Sequence, residues 1–454
     1  MSFGFGFALP HWQTLSGGFT PASLFSAGEQ GAWYDPSDLS TLFQDSAGGT
    51  PVTAVEQPVG RMLDKSGRGN HATQSTSTSR PVLRARYNLL TYSEQFDNAA
   101  WTKTNLITTG TPPWVNVAVA PDGTTTADFA VPNTTSGQHF VSVGSIAPAT
   151  TQVVLSVYAK RNGYDFLGFE VGSVGANRFD LNAGTVLGVG WDSGVPIAPA
   201  TITSVGNGWY RCSMTVTTTA AATIYIGVWS TSSSTANYAG DGTSGIYLWG
   251  AQLIVTNSLT SNAYQRIAAA TDYDTAGFLP YLAFDGTDDS LLTNSVDFTA
   301  TDKVTVWAGV RKLSDAAQGV VSELSATIAS NNGSFLLTAP NSAAANYNWS
   351  SKGTTQVDNT VTTYTAPITN VVTGIADIAG ASNIIRINGV QVGSVATTQG
   401  TGNFGNYPLY IGRRNNATFP FNGNLYSLII RGAQSSAAQI SSTETWVNGK
   451  TGAY

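Results

Sequence analysis

Short runs of alternating apolar and polar residues, separated by clusters of Gly, Asn, Ser and Thr, recur along most of the chain. Residues 304–310 (VTVWAGV) and 222–229 (ATIYIGVW) show the pattern, in which a period of two places every second side chain on one face of a strand. It predicts further strands in TADFAV, QVVLSVYAK, DFLGFEVG and GWYRCSMTVT, then in GSFLLTAP, IRINGVQVGS, LYIGRR and NLYSLIIRG. Asn388-Gly389 supplies the turn of a hairpin. One segment has helical period, SSAAQISSTETWVNGK: Ile440, Trp446 and Val447 share its inner face, Ser435 or Ser436 caps its start, and Gly449 is the expected stop. The fold class read from this pattern is all-β with a short C-terminal helix.

Composition agrees with a loop-rich β protein large enough for two or three cores. The chain has 454 residues, of which only 11% are charged, with 48 glycines and 11% aromatics. A net charge of −6 leaves no basic surface for phosphate, and the pairs Arg84/Arg86 and Arg413/Arg414 are too small to change that, so no nucleic-acid partner is expected. No apolar run approaches the ~20 residues of a membrane span, so no membrane insertion is expected. The start, MSFGFGFALPHW, lacks a basic segment and is broken by Gly4, Gly6 and Pro10, which does not read as a signal peptide. A single cysteine, Cys212, excludes an internal disulfide and reads as a core residue.

Two separated segments carry a resemblance. Residues 64–81 (DKSGRGNHATQSTSTSRP) and 279–292 (LPYLAFDGTDDSLL) read as one motif interrupted by a long insertion, and together resemble the laminin-G-like, concanavalin A-like jelly rolls of phage structural proteins. The opening AWYDPSDLSTLFQD and the terminal WVNGKTGAY resemble the same group. The insertion opens with NLLTYSEQFDNAAWTK and closes with GIYLWGAQLIVTNSLTSNAYQRI, and resembles carbohydrate-binding-module-like jelly rolls of phage spikes and fibres. The resemblance implies two jelly-roll β-sandwiches, one inserted in a loop of the other: an extended N-terminal arm (1–30), a discontinuous sandwich (31–85 plus 275–454) and an inserted jelly roll (86–274). Adjacent termini make such an insertion tolerable.

It further implies a virion component on the surface of a phage particle: a fibre, spike or decoration protein that displays its sandwiches to host surface polysaccharide. Phe3, Phe5, Phe7 and Trp12 of the arm are the candidate anchors to portal, capsid or tail proteins, by burial of their rings. A homotrimer is implied as well, although no coiled-coil heptads or β-helix repeats force it, and a dimer or monomer stays open.

The candidate chemistry is sparse. Concanavalin-like glycosidases set two carboxylates about 5–5.5 Å apart on a strand, whereas the six glutamates here are scattered singly and three isolated histidines accompany no nucleophile elbow. No enzyme and no cofactor are therefore expected. The turn FDGTDDS offers Asp285, Asp288 and Asp289, which either cap the turn through backbone N–H groups or hold a structural calcium ion. Of eleven tryptophans, Trp209, Trp249 and Trp307 lie within strand patterns and read as core; Trp101, Trp114, Trp191 and Trp229 lie nearer turns and are the candidate sugar-stacking platforms. Two other readings remain: a structural decoration protein that binds no sugar, and a polysaccharide depolymerase.

Overall fold

The period-two segments form strands in four antiparallel sheets, in a computed structural model that describes residues 18–109, 114–149, 151–191, 194–232, 237–255 and 263–454. The first sheet runs Val390–Val395, Ser382–Ile387, Ile368–Asp377, Lys303–Lys312, Asn422–Arg431, Tyr281–Asp285, Val82–Arg84, with Gly31–Tyr34 also pairing Asn422–Arg431. Facing it is a nine-stranded sheet from Leu42–Phe43 to Gln356–Thr362, and Leu282, Phe284, Val306, Phe335, Trp349 and Leu428 meet in the core between them. Gly374 lies so close under the Trp349 ring that a β-carbon there would sit 2.3 Å from it, so that strand position accepts only glycine.

A second sandwich is built from residues between the two halves of the first. Its six-stranded sheet contains Phe166–Val171, Ala222–Trp229 and Phe140–Ala147, and its five-stranded sheet contains Trp209–Thr217, Gln152–Asn162 and Gly245–Val255. Leu155, Val157, Leu167, Phe169, Ile224, Ile226 and Leu248 fill the space between, with the Cys212 thiol fully buried among them. Trp209, Trp249 and Trp307 are buried, as the strand pattern predicts.

Where the two sandwiches join, the chain is held by two buried side-chain amides. The Gln265 carbonyl accepts from the Tyr87 and Asn88 amides (2.7 and 3.0 Å), and its nitrogen donates to Ala85 O and Asp274 O (2.9 and 2.8 Å). Asn88 answers from the other arm of the crossing, donating to Ala251 O and Gln265 O (both 3.0 Å) and accepting from the Leu90 and Leu253 amides (3.0 and 3.1 Å). Both side chains are fully buried, and both have every donor and acceptor used. The pairing of Leu83 with Leu282 continues the first sandwich directly across the splice.

The helix, α1 (Ala437–Thr451), starts at a capping box in which Ser436 and Gln439 bond reciprocally. It ends at Gly452 in the left-handed region (φ 58°), three residues beyond the expected Gly449, because the apolar face with Val447 continues to the buried Thr451. α1 lies on the outer face of the first sheet. Part of the expected extended arm joins it there: Pro21–Phe25 forms a turn of 3₁₀ helix whose Leu24 and Phe25 are buried beside Trp33, Trp307 and Val447. Arg431 fastens this segment, donating to Leu24 O (2.8 Å) and pairing with Glu29 (2.7 Å), so residues 18–30 are docked rather than extended. Phe3, Phe5, Phe7 and Trp12 lie outside the described residues. Among the described residues no helix is long and apolar enough to cross a membrane.

Gln265→Ala is predicted to cost on the order of 3 kcal/mol, because two amides and two carbonyls lose partners where water is excluded. Denaturant unfolding measures this, and a loss no larger than that of an exposed substitution would remove the amide pair from its structural role.

Candidate functional site

The four tryptophans expected to offer stacking platforms are buried, and the structure corrects that expectation. Trp101, Trp114, Trp191 and Trp229 are 1%, 5%, 2% and 1% exposed, whereas a sugar needs an open ring face. Trp101 stacks on Phe96 (4.9 Å between centroids) and donates its indole N–H to Tyr92 O (3.0 Å). Trp114 belongs to the same core as Trp101. Trp229 lies on the outer face of its sheet, over the paired glycines Gly168 and Gly227, where any β-carbon would come within 2.6 Å of its ring. Trp191 packs edge-on against it at 4.2 Å, and the buried Arg178 guanidinium sits 4.4 Å from the Trp229 centroid. Loops rich in turn residues fold back over the sheets and enclose these rings. The sequence signal for it is the mid-strand glycine in FLGFE and IYIGVW, which marks close approach by another group.

The three aspartates do come together. One carboxylate oxygen each of Asp285, Asp288 and Asp289 lies within 4.8 Å of the others. Capping accounts for part of this: Asp285 accepts from the Thr287 amide (2.7 Å), Asp289 from the Asp285 amide (3.0 Å), and Asp288 from the Ser79 hydroxyl (2.6 Å). Burial, with the charges of Asp285 and Asp288 beside it, pushes the Asp289 carboxyl up to about 6. A divalent cation would relieve that repulsion, and oxygen-only donors suit calcium. Calcium in this turn is therefore proposed alongside the capping role.

A groove of about 1040 Å³ lies elsewhere, between the two sandwiches. Its floor follows from strand alternation. Leu282, Phe284, Leu425 and Val310 point into the core, so Tyr281, Ala283, Asn424, Tyr426 and Arg311 emerge on the other face of the same sheet, beside Arg84. α1 and Pro21–Phe25 cover one part of that face, and the groove occupies another. Its opposite wall comes from the second sandwich through Leu89, Gln252, Ile254 and Val255.

Tyrosines tie the groove together. The Tyr281 hydroxyl donates to Arg86 O and the Tyr87 hydroxyl to Leu279 O, both at 2.9 Å, so each side of the splice reaches across to the other. Tyr87 packs against Phe278 (5.6 Å) and Tyr281 (6.1 Å), and Tyr281 against Tyr426 (5.3 Å). Tyr281 and Tyr426 are buried, while Tyr87 and Phe278 keep part of their rings open to the groove. Burial pushes the Tyr87 and Tyr281 phenols well above their ordinary range, so both are neutral hydrogen-bonding groups. The charges are arranged in pairs: Arg84 with Glu56 (3.1 Å), and Asp315 with the buried Lys312 (2.6 Å). Arg86 donates to Asn88 O and Leu89 O, and burial lowers its guanidinium below the usual value. None of these groove residues was a sequence candidate. They come from well-separated segments, and only the RARY run at 84–87 stands out in the chain.

Fold and groove define a lectin-type double β-sandwich with an inter-sandwich cleft. Residues 285–441 match the model of the Concanavalin A-like lectin/glucanases superfamily, and the chain carries a laminin G-like domain of that type. No curated protein matches the chain. Among solved structures, the CBM40 module of the Ruminococcus gnavus IT-sialidase is similar at 14% identity and TM-score 0.29, covering 36% of this chain and 96% of that one. The binding domain of botulinum neurotoxin serotype D is similar at 12% identity and TM-score 0.30, over 42% of this chain and 50% of that one. Likeness at these scores transfers no ligand.

Two outcomes are predicted. Trp229→Ala destabilises the protein by about 3–5 kcal/mol in denaturant unfolding, the cost of emptying a buried indole site; a neutral effect would restore the exposed-platform reading. If the aspartate turn holds calcium, added calcium raises the melting temperature above that in EDTA, and Asp288→Asn abolishes the difference; equal melting in both leaves turn capping alone.

Proposed function

We propose that the protein is a glycan-binding protein whose ligand lies in the groove between its two sandwiches. The observation that carries this reading is the groove's makeup. Partly open rings of Tyr87 and Phe278 offer faces for the C–H side of a pyranose, and Asn424 and Arg311 line the groove beside them as polar groups for its hydroxyls. The concanavalin A-like match over 285–441 supports it from a separate direction.

Binding without cleavage is the form proposed. Four of the glutamates are engaged by arginines, Glu29 with Arg431, Glu56 with Arg84, Glu323 with Arg414 and Glu444 with Arg386, at 2.7 to 3.1 Å. Such pairing suits structural roles better than the shared proton economy of a glycosidase. In the setting that the sequence resemblance implies, the protein sits on a phage particle, anchored through Phe3, Phe5, Phe7 and Trp12, and recognises host surface polysaccharide. Several copies, three in the trimer that the resemblance implies, would turn modest single-site affinity into firm attachment.

The test is incubation of the protein with surface polysaccharides of candidate hosts, following retained complex and released reducing ends together. Retention without release is expected, and Phe278→Ala should weaken it about tenfold by removing one stacking face. Release of reducing ends would replace the reading by depolymerisation. No retention across the panel would favour a purely structural decoration protein.

A further inference from the structure

We infer that the turn 64–71 is an acid-sensitive clamp on the docked N-terminal segment 18–30: a neutral His71 ring completes the turn that holds the segment on its sheet, and protonation of the ring loosens that hold. The clamp is independent of glycan binding and uses a motif, DKSGRGNH, that the groove leaves unused.

It is built around the Asp64 carboxylate. The two oxygens accept from the Trp33, Ser66 and Asn70 amides (2.9, 2.8 and 3.0 Å) and from the Ser66 hydroxyl (2.7 Å), which closes the turn and ties it to the strand Gly31–Tyr34. From the closed turn two side chains reach the segment and its exit. Arg68 Nη2 donates to Phe25 O (2.6 Å), and the Asn70 side-chain amide donates to Gly31 O (2.7 Å). The two ends of the turn are locked together where the Asp64 main-chain N–H donates to Nδ1 of His71 at 3.0 Å. A backbone amide can only donate, so this bond requires a lone pair on Nδ1 and a neutral ring. Protonation sets N–H against N–H; the half-buried ring must then swing out, and the Asp64 amide loses its partner.

The surroundings favour the neutral ring. His71 leads into the strand Ala72–Thr73, which has Arg61–Met62 on one side and meets Leu292 and Thr293, neither of them charged, on the other. Burial, and then the charge of Arg61, disfavour the imidazolium, and Asp64 offsets this only in part, so the ring holds its proton less tightly than a free histidine. A docked state that prefers the neutral ring is fully formed above the ordinary histidine range and is lost as pH falls through the lowered value of the folded protein. The ion pair on the segment does not follow it. Burial works against the Glu29 carboxylate, yet hydrogen bonds from the main chain and Arg431 hold it below the usual range, so Glu29–Arg431 survives mild acid. Acid thus removes one of the segment's two polar fastenings and shifts it towards release, and at about 3.3 Å per residue a released segment adds roughly 40 Å of reach.

Hydrogen exchange of the full chain, each rate referred to the intrinsic rate at the same pH, tests this at about pH 7.5 and about pH 5.5, on either side of the histidine range. Protection of the Ser23 and Gly28 amides in the segment, and of the Trp33 and Asn70 amides at the turn, is expected to fall about tenfold in acid. Protection of the core strand Lys303–Lys312 should stay unchanged. With three histidines in the chain, the His71 ring can be followed directly by NMR, and its titration should share its midpoint with the loss of protection. His71→Asn, whose Oδ1 takes the place of Nδ1 as acceptor and does not titrate, should keep the neutral-pH protection at both values. Protection independent of pH, a midpoint apart from that of the His71 ring, or an acid loss that survives in a folded His71→Asn would each overturn the inference.

Discussion

Everything distinctive in this molecule depends on the buried amide pair at the splice. Inserting one sandwich into another requires the chain to leave and re-enter the host sheet at neighbouring points, with backbone groups that belong to neither sheet's ladder. Asn88 and Gln265 satisfy those groups, each using all four of its hydrogen-bonding positions on main-chain partners from both arms of the crossing. A hydrophobic residue at either position would fill the space but leave amides and carbonyls orphaned, at a cost that grows with their burial. Around this pair Ala85, Ile267 and Tyr273 form a small apolar cluster of their own, and the Tyr273 hydroxyl bridges the Ala85 amide and Glu56. The join is thus a packed polar node, where a flexible linker would have left the two sandwiches free to tumble.

Much of the fold was legible because its signals are local. Strands with strict alternation, such as Gln152–Asn162 and Lys303–Lys312, fall where the pattern puts them, and Asn388-Gly389 turns the hairpin with both residues at positive φ. Gly67 and Gly69 likewise take the left-handed conformations that their turn requires. Errors arose where a distant surface decided the outcome. Gly449 looks like a helix stop, yet packing of Val447 and Thr451 against the sheet carries the helix through to Gly452. Leu24 and Phe25 look like arm residues until Trp33, Trp307 and α1 supply the face that buries them.

The tryptophans carry the same lesson for function. Proximity to turn residues says where a side chain starts, and loops here return across the outer faces of the sheets to cover Trp191 and Trp229 on their glycine floor. The groove was illegible for the complementary reason. Alternation along Tyr281–Asp285 shows that Tyr281 and Ala283 face away from Leu282 and Phe284, but not whether that outer face meets solvent, a helix or another domain. Only the position of the second sandwich, fixed at the splice, turns one part of the face into a cleft.

A groove walled by two sandwiches has an energetic consequence that a groove on one would lack. Tyr281 bonding to Arg86 O and Tyr87 bonding to Leu279 O already hold its two walls at a set separation, so little ordering is left for a ligand to impose. The arginine that faces the groove from the splice, Arg86, is itself held by Asn88 O and Leu89 O, the carbonyls beside the amide pair. Fold and groove therefore share residues at this one place. A substitution that loosened Asn88 or Gln265 would disturb Arg86 before it unfolded either sandwich, which places the groove under the same packing constraint that keeps the two domains together.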